Sequence, residues 1–257
     1  MQLLIVGAGA MGRWVARTVD ADVTFADVEA AAADEAAADC GGSSAPVDTD
    51  RRFDAVCLAT PISAAADTVE SFAPNAETAM FDVTGSMAAP VAAMRRAFDG
   101  ERVSLHPLFA PENAPGNVAA VTDEAGPLTD GVRADLEDAG NHTFETTVDE
   151  HDRAMETVQS KAHAATLAYA LAAEDVREEF ATPVSAALDD VVETVTDGTP
   201  RVYAEIQETF PGSDAVADAA ARLADADREG FEALYREASE RRRGESPADR
   251  QSRGEDR

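Results

Sequence analysis

Residues 3–12 read LLIVGAGAMG, a short apolar run that passes directly into a glycine-rich turn. The apolar run is typical of a buried strand, and the residues after the turn predict a helix. In this context Gly7 permits the tight turn, Gly9 lets the backbone approach a pyrophosphate, and Gly12 lets the helix pack close to the strand. The stretch therefore predicts the first βαβ unit of a dinucleotide-binding fold.

An acidic residue completes this half-site. Asp27 stands twenty residues after Gly7, at the end of the second predicted strand. A carboxylate there can accept hydrogen bonds from the adenosine ribose and would repel a 2′-phosphate, so NAD is favoured over NADP. High salt should soften this discrimination because it is electrostatic. The predicted cofactor residues are Gly7, Gly9, Ala10, Met11, Gly12, Asp27, Thr60 and Pro61.

The rest of the chain divides into two regions with different sequence patterns. Up to about residue 147, short apolar runs alternate with alanine-rich helical stretches, which predicts a mainly parallel sheet. Strands are predicted at 3–6, 23–26, 55–59, 79–83, 102–105 and 118–121, with helices at 11–19, 28–39, 63–72 and 89–98. After residue 149 only long amphipathic stretches remain, at 152–180, 183–195, 200–210 and 214–241.

These two sequence patterns predict an α/β protein with a doubly wound Rossmann domain followed by an all-α domain. We place the dinucleotide-binding domain at 1–148 and a helical dimerisation and substrate domain at 149–243. Residues 244–257 are polar and charged without apolar periodicity, and we predict a disordered tail there.

The charge balance points to an unusual environment. The chain carries 50 Asp and Glu against 21 Lys and Arg, a formal net charge of −29, and Lys161 is its only lysine. Such self-repulsion opposes compaction in ordinary buffer, but the screening length falls to about 3 Å at 1 M salt. We interpret the chain as halophilic, with a generic acidic protein or an acidic partner of a basic one as the alternatives. Nucleic acid is an unsuitable ligand for this surface.

The sequence also favours a cytoplasmic location. No segment approaches the roughly 20 apolar residues that span a membrane, and the amino terminus lacks a charged region followed by a long apolar run. Of the two cysteines, Cys57 lies in an apolar run, where a thiol is usually a small core residue. We predict no metal site and no membrane partner.

Several loops after predicted strands carry polar groups that should gather at the carboxyl edge of the sheet, where open α/β sheets bind ligands. Thr60 and Pro61 follow one strand, and Ser86 follows the next. His106 ends a further strand and begins a proline-rich loop. A histidine at a strand end, facing a nicotinamide site, can accept a proton from an alcohol while hydride leaves the same carbon.

The first helix of the second half carries further polar residues. Asp152 is expected to interact with the helix dipole, and no role is predicted for His151 beside it. Gln159 and His163 form a polar pair, so His163 either faces a pocket or is a satisfied core histidine. Lys161 should point to the opposite side, since each residue advances a helix by about 100°, but a dimer could bring it into a partner's site.

Together these motifs resemble the prephenate and arogenate dehydrogenase family, oxidoreductases of tyrosine biosynthesis, and the resemblance covers most of the chain. The histidine–proline loop and the stretch around Tyr203 are its most specific parts, whereas the glycine motif is shared by many dehydrogenases. The matching stretches are GAGAMG at 7–12, DVTGS at 82–86, HPLFAPE at 106–112, the helix from His151 and Asp152 through Gln159 and His163, and TPRVYAEI at 199–206.

The resemblance implies NAD-dependent oxidation at C4 of a cyclohexadienol with loss of the ring carboxylate as carbon dioxide. His106 would be the general base, and Ser86 would orient that histidine or the cofactor. Glu112 and His163 match positions near the substrate side chain. The helical half would be a dimerisation domain, so a homodimer is implied. Prephenate and arogenate both remain open as substrates.

One position departs from the family pattern. The family has an arginine in the helix after Pro183 to hold a substrate carboxylate, and Thr194 stands there in this chain. A dianionic substrate needs a local cation, particularly in a chain of this charge. Arg201 and Lys161 are the predicted substitutes, and Arg153 and Arg177 are further candidates.

Two other functions fit the architecture. One is a different dehydrogenase or reductase with a Rossmann domain and a helical domain, acting on imines or small β-hydroxy acids. The other is a non-catalytic sensor that binds NAD and contacts a partner through its helical half. The sensor predicts NAD affinity without turnover, and neither alternative requires His106.

Overall fold

The structure is a computed structural model, and it describes residues 1–243. The predicted tail at 244–257 lies outside the described residues. The sheet of the first half ends at Glu145, and the helical half begins at Val148.

One sheet of eight strands organises the first half, in the order β3-β2-β1-β4-β5-β6-β7-β8. The first six positions follow the doubly wound order of dinucleotide-binding folds. All neighbours pair in parallel except β6 and β7, which are antiparallel. The strands are β1 (Gln2–Val6), β2 (Asp22–Ala26), β3 (Ser43–Ser44), β4 (Phe53–Leu58), β5 (Ala76–Asp82), β6 (Glu101–Pro107), β7 (Asn117–Glu124) and β8 (His142–Glu145).

Helices cover both faces of this sheet. Alternation along β1 sends Leu3 and Ile5 to one apolar layer and Leu4 and Val6 to the other, because successive side chains of a strand point to opposite faces. The first layer includes residues of α1, α2 and α5, and the second includes residues of α3 and α4. The helices are α1 (Ala10–Thr18), α2 (Ala30–Cys40), α3 (Ala65–Phe72), α4 (Ala88–Ala97) and α5 (Pro127–Asp138).

All six predicted strands and all four predicted helices of the first half are present. Two strands and one helix were missed. The two residues of β3 are both serine, and β8 begins with His142 and ends with Glu145, so neither shows an apolar run. Helix α5 buries only a narrow stripe, Thr129, Val132 and Leu136, within an otherwise polar sequence.

The second half is helical, as predicted, but two boundaries differ. The helix predicted at 152–180 begins at Val148, ends at Ala172 and contains a π-helical segment at Glu156–Lys161. The helix predicted at 214–241 is two helices, because Asp227 caps the second by accepting a hydrogen bond from the Gly230 N–H. The helices are α6 (Val148–Met155), α7 (Ala162–Ala172), α8 (Pro183–Thr196), α9 (Pro200–Thr209), α10 (Ser213–Asp225) and α11 (Arg228–Arg242).

A small apolar cluster joins the two halves. Met155, Ile206 and Phe210 are buried together and pack against Ile62 and Leu108, which belong to loops at the carboxyl edge of the sheet. Within residues 1–243, no helix combines the length and the apolar character that crossing a bilayer requires.

Candidate active site

The glycine turn is built from close backbone contacts. Gly7 has a φ of +106°, and a Cβ on it would overlap the carbonyl oxygen of Ala59. A Cβ on Gly12 would overlap the carbonyl oxygen of Gly7, so only glycine lets α1 approach β1 this closely. By contrast, no atom lies within 4 Å of a Cβ placed on Gly9, just before α1. The turn therefore leaves open space where helix N–H groups can meet a pyrophosphate.

Asp27 is tied to this turn. One carboxylate oxygen accepts a hydrogen bond from the Ala8 N–H at 2.8 Å, and the other accepts one from the Glu29 N–H at 2.9 Å. Arg13 braces the same turn: its Nε donates to the Ala8 carbonyl at 3.1 Å, and its guanidinium pairs with Asp39. A carboxylate oxygen can accept more than one hydrogen bond, so Asp27 retains acceptor capacity for a ribose.

The loops after β4, β5 and β6 meet at one edge. Thr60 follows β4 and has a buried hydroxyl without a hydrogen-bond partner. Gly85 follows β5, and a Cβ on it would lie 3.7 Å from Nε2 of His106, at the end of β6. Ser86, the next residue, is buried. The predicted gathering of these loops is therefore present in the structure.

A buried carboxyl group supports the loop that carries Ser86. Asp82 Oδ1 accepts a hydrogen bond from the Thr84 N–H at 3.1 Å, and the Thr84 hydroxyl lies 2.6 Å from Oδ1 and 2.9 Å from the Ser86 carbonyl oxygen. Burial raises the pKa of Asp82 to about 7, although its hydrogen bonds with Thr84 oppose the shift.

Each ring nitrogen of His106 lies close to a polar side chain. Its Nδ1 lies 2.8 Å from Nε2 of His151, and its Nε2 lies 3.4 Å from the amide nitrogen of Gln159. The other nitrogen of His151 lies 2.7 Å from a carboxylate oxygen of Asp152. Burial, and secondarily the neighbouring His151, lowers the pKa of His106 to about 3, so the ring is neutral near pH 7.

Two points here differ from the sequence analysis. His151, for which no role was predicted, is buried against His106. The adjacent His151-Asp152 pair was the sequence signal that could have indicated a role for His151. Ser86 was expected to orient His106 or the cofactor, but both ring nitrogens of His106 bond to other groups. The role of Ser86 stays a prediction.

The π-helical segment precedes His163. Such segments occur often at functional sites because the extra residue redirects the side chains that follow. The His163 ring packs edge-on against Tyr203 at 4.7 Å between centroids, and its Nδ1 is buried without a hydrogen-bond partner. Glu112, which is exposed, lies close enough to raise the pKa of Tyr203, although burial of the phenol contributes more. The structure therefore brings Glu112 and His163 together around Tyr203, which the sequence analysis placed in a matching stretch without giving it a role.

The predicted cations lie elsewhere. Arg201 is exposed and donates to Glu205 at 2.9 Å, and Glu205 also accepts from Ser63 at 3.0 Å. Lys161 ends the π-helical segment and packs along Gly212. Within residues 1–243, no hydrogen bond or ion pair joins either cation to His106. Thr194, at the position of the family's arginine, donates its hydroxyl to the Asp190 carbonyl.

Arg153 is exposed, as Arg201 is. Arg153 lines a cavity of about 480 Å³ with Ser86 and Phe210 and with three carboxylates, those of Asp149, Asp152 and Glu156; His106 is not a lining residue of this cavity. Arg177, the remaining candidate, stacks over the Phe180 ring at 4.9 Å.

Comparison with known proteins gives one relative in sequence and many in fold. A 4-amino-4-deoxyprephenate dehydrogenase from Streptomyces pristinaespiralis is 32% identical over 270 residues, covering 91% of this chain and 88% of that protein. The prephenate dehydrogenase of A. aeolicus, solved with hydroxyphenyl propionate and NAD+, has a TM-score of 0.68 at 16% identity, covering 95% of this chain and 98% of that one. The arogenate dehydrogenase of Synechocystis has a TM-score of 0.63 at 16% identity, covering 96% and 100%. No family profile matches the chain.

Proposed function

This chain belongs to the prephenate and arogenate dehydrogenase family, and on that premise we propose that it oxidises a prephenate-type cyclohexadiene at C4 with NAD and releases the ring carboxylate as carbon dioxide. The family, the fold and the enzyme class predicted from the sequence are thereby confirmed. The observation that carries the reaction is His106, a buried neutral base at the sheet edge beside the β5 loop.

The residues of the glycine turn fit NAD. Open space lies before α1, and Asp27 stands beside it with acceptor capacity for the ribose. NAD bound there supplies the hydride acceptor. His106 accepts the proton of the C4 hydroxyl through Nε2, which requires the ring to be neutral beforehand. The raised electron density on the C4 oxygen then helps hydride to leave the same carbon.

The substrate side chain has a candidate enclosure in Glu112, His163 and Tyr203. The buried Nδ1 of His163 lacks a protein partner, so a polar substrate atom would satisfy it. We assign the ring carboxylate to Arg153 ahead of Arg201 and Lys161, because Arg153 shares a cavity with Ser86. Asp149, Asp152 and Glu156 line the same cavity, so a bound carboxylate must pair with Arg153 to offset their repulsion. Arg153→Gln should then raise KM at least tenfold, while Arg201→Gln should change it less than about twofold.

The decisive experiment measures NADH formation with prephenate and with arogenate in multi-molar KCl. The variants are His106→Asn and, as a matched control, His142→Asn, whose ring is exposed on β8. Loss of the base should lower kcat by about 10²- to 10⁴-fold, and the control should retain full activity. Full activity in His106→Asn would refute the role of that residue. NAD binding without turnover of any tested substrate would instead favour the sensor.

A second substrate is favoured by the relative in sequence, which is named for 4-amino-4-deoxyprephenate. That compound carries an amine at C4 in place of the hydroxyl. An amine has two N–H groups, and the site has two buried acceptors, Nε2 of His106 and the unpartnered Oε1 of Gln159. A higher kcat/KM for the amino compound than for prephenate would assign this substrate, and the reverse order would exclude it as the principal one.

The helical half suggests a homodimer. Large apolar side chains are exposed on it, including Leu171 at 89% and Val184 at 71%. Single exposed apolar residues are ordinary, but a series along several helices favours coverage by a second chain. The exposed series in this half is Val158, Leu171, Val176, Phe180, Val184, Leu188, Val191, Val202, Leu223, Phe231 and Tyr235.

The net charge of −29 supports a halophilic protein that works in the cytoplasm of a salt-accumulating cell. Screening at high salt removes most of the self-repulsion. Activity and thermal stability should therefore both rise from dilute buffer to multi-molar KCl, and the opposite trend would refute this interpretation.

A further inference from the structure

A hydrogen-bonded line of three side chains runs from the sheet edge to the start of the helical half. It joins His106 Nδ1 to His151 Nε2 at 2.8 Å and His151 Nδ1 to Asp152 Oδ1 at 2.7 Å. Both rings are buried, whereas the Asp152 side chain is 26% exposed. The line therefore connects a buried base to a carboxylate that reaches solvent.

The chemistry of the three groups fixes the direction of each hydrogen bond. An ionised carboxylate only accepts, so Nδ1 of His151 carries the hydrogen. With that hydrogen alone on the His151 ring, Nε2 holds a lone pair and Nδ1 of His106 donates to it. The free lone pair of His106 is left on Nε2, which faces Gln159.

Gln159 is consistent with this polarity. Its amide nitrogen is the atom near Nε2 of His106, so it donates to the lone pair, and its Oε1 is buried without a partner. A substrate hydroxyl can replace that weak contact of 3.4 Å by donating to the same lone pair.

We propose that His151 and Asp152 are positioning residues that hold His106 with a free Nε2 and take over the positive charge formed during oxidation. This inference rests on the proposed function. As the substrate O–H bond breaks, its proton forms a new bond to Nε2 of His106, and the C4–H electron pair leaves with the hydride to NAD. The Nδ1 proton of His106 moves to Nε2 of His151, which becomes an imidazolium paired with the Asp152 carboxylate. Loss of the ring carboxylate as carbon dioxide leaves its electron pair on the C4 oxygen as a phenolate. The phenolate takes the Nε2 proton back from His106, and the His151 proton returns to Nδ1 of His106.

The surroundings of the two rings favour the charge at His151. A cation there lies 2.7 Å from the Asp152 carboxylate, whereas a cation on His106 would be buried next to neutral groups. Asp152 is the charged group that hydrogen-bonds to these rings. Gln159 from the π-helical segment and Gly85 from the β5 loop, which also face His106, carry no charge.

The first test is ¹⁵N NMR of the full chain labelled at histidine, which needs no substrate. Spectra of His106→Asn and His151→Gln identify the two signals. We expect His106 in wild type to be neutral with the hydrogen on Nδ1, and in His151→Gln to lose this single tautomer. A hydrogen on Nε2 of His106 in wild type would overturn the proposal, even if the substrate assignment is wrong.

The second test is kinetic and uses the turned-over substrate. Asp152→Asn keeps an acceptor oxygen but removes the charge, so kcat should fall by about 10²-fold with KM within about threefold, and its pH profile should shift. Asp152→Glu should recover part of the rate. The controls are Glu150→Gln, on the same helix, and His142→Asn. If Asp152→Asn and His151→Gln both keep the kcat of the wild-type enzyme, the proposal is overturned. If the wild-type enzyme itself is inactive, the proposed function is refuted, and the NMR result alone decides the proposal.

Discussion

Replacement of Asp27 by alanine tests the cofactor half-site and the turn together. The substitution removes two hydrogen bonds to backbone N–H groups, those of Ala8 and Glu29, at 2.8 and 2.9 Å. Hydrogen bonds to charged groups contribute roughly 1.5–3 kcal/mol each when buried. Asp27 is partly exposed, so water can replace part of the carboxylate and about 1 kcal/mol per bond is the reasonable figure. The expected loss of about 2 kcal/mol corresponds to a fall in Tm of about 4–8 °C for a chain of this length.

The same substitution should change cofactor choice. Loss of the bonds to the ribose should weaken NAD binding roughly 10- to 100-fold. NADP binding should be unchanged or tighter, because the carboxylate that repels its 2′-phosphate is gone. In wild type, the preference for NAD should narrow as KCl rises, since screening acts on that repulsion.

The assays are thermal unfolding and titration of NAD and NADP, followed by the fluorescence of Trp14, the only tryptophan, which lies in the helix after the turn. Asp22→Ala is the matched control for loss of one charge, because Asp22 lies at the exposed start of β2, the strand that Asp27 follows. An unchanged Tm would refute the contribution of the two bonds to stability. An NAD affinity within about twofold of wild type would refute the contact with the ribose.

Three further outcomes follow from the structure. Gly12→Ala should lower Tm and NAD affinity together, since its Cβ would overlap the Gly7 carbonyl oxygen; an unchanged Tm in a melting experiment would contradict this. The raised pKa of Asp82, about 7, means that the folded state holds a proton which the unfolded state releases above about pH 4, so Asp82 lowers stability as pH rises through this window. The free energy of unfolding of Asp82→Asn, measured relative to wild type in denaturant titrations, should therefore rise by about 1–4 kcal/mol from pH 5 to pH 8. A difference between the two proteins that stays constant with pH would argue against the raised pKa. Leu171→Asp should convert the proposed homodimer to monomers in sedimentation experiments, and an unchanged mass would contradict the placement of Leu171 in its interface.

The local features were predictable because local sequence decides them. The turn at 7–12 needs glycine for reasons of backbone geometry, and Gly7 indeed has a positive φ. The apolar runs of the central strands are buried on both faces, so they stand out in the sequence. The edge strand Ser43–Ser44 and helix α5 lacked such a signal, because partly exposed elements need few apolar residues.

The candidate site was only partly predictable, because its residues meet across the fold. His106 was predicted as a site residue from its place at a strand end, but its contact with His151 joins residues 45 positions apart. The π-helical segment changes the helical periodicity from which the placement of Lys161 and His163 was argued. Arg153 was one cation among several in the sequence, and the cavity that it lines together with Ser86 is the observation that favours it.

The sequence by itself determined the dinucleotide turn, the mainly parallel sheet, the helical second half and the family. Each of these follows from residue type and spacing within short stretches, where steric limits and burial leave few alternatives. Only the tertiary structure decided that Asp27 anchors the turn it was expected to complement, and that His106, His151 and Asp152 form one hydrogen-bonded line. The physical reason is that a hydrogen bond depends on distance and direction in space, and these are set when the helical half packs against the sheet.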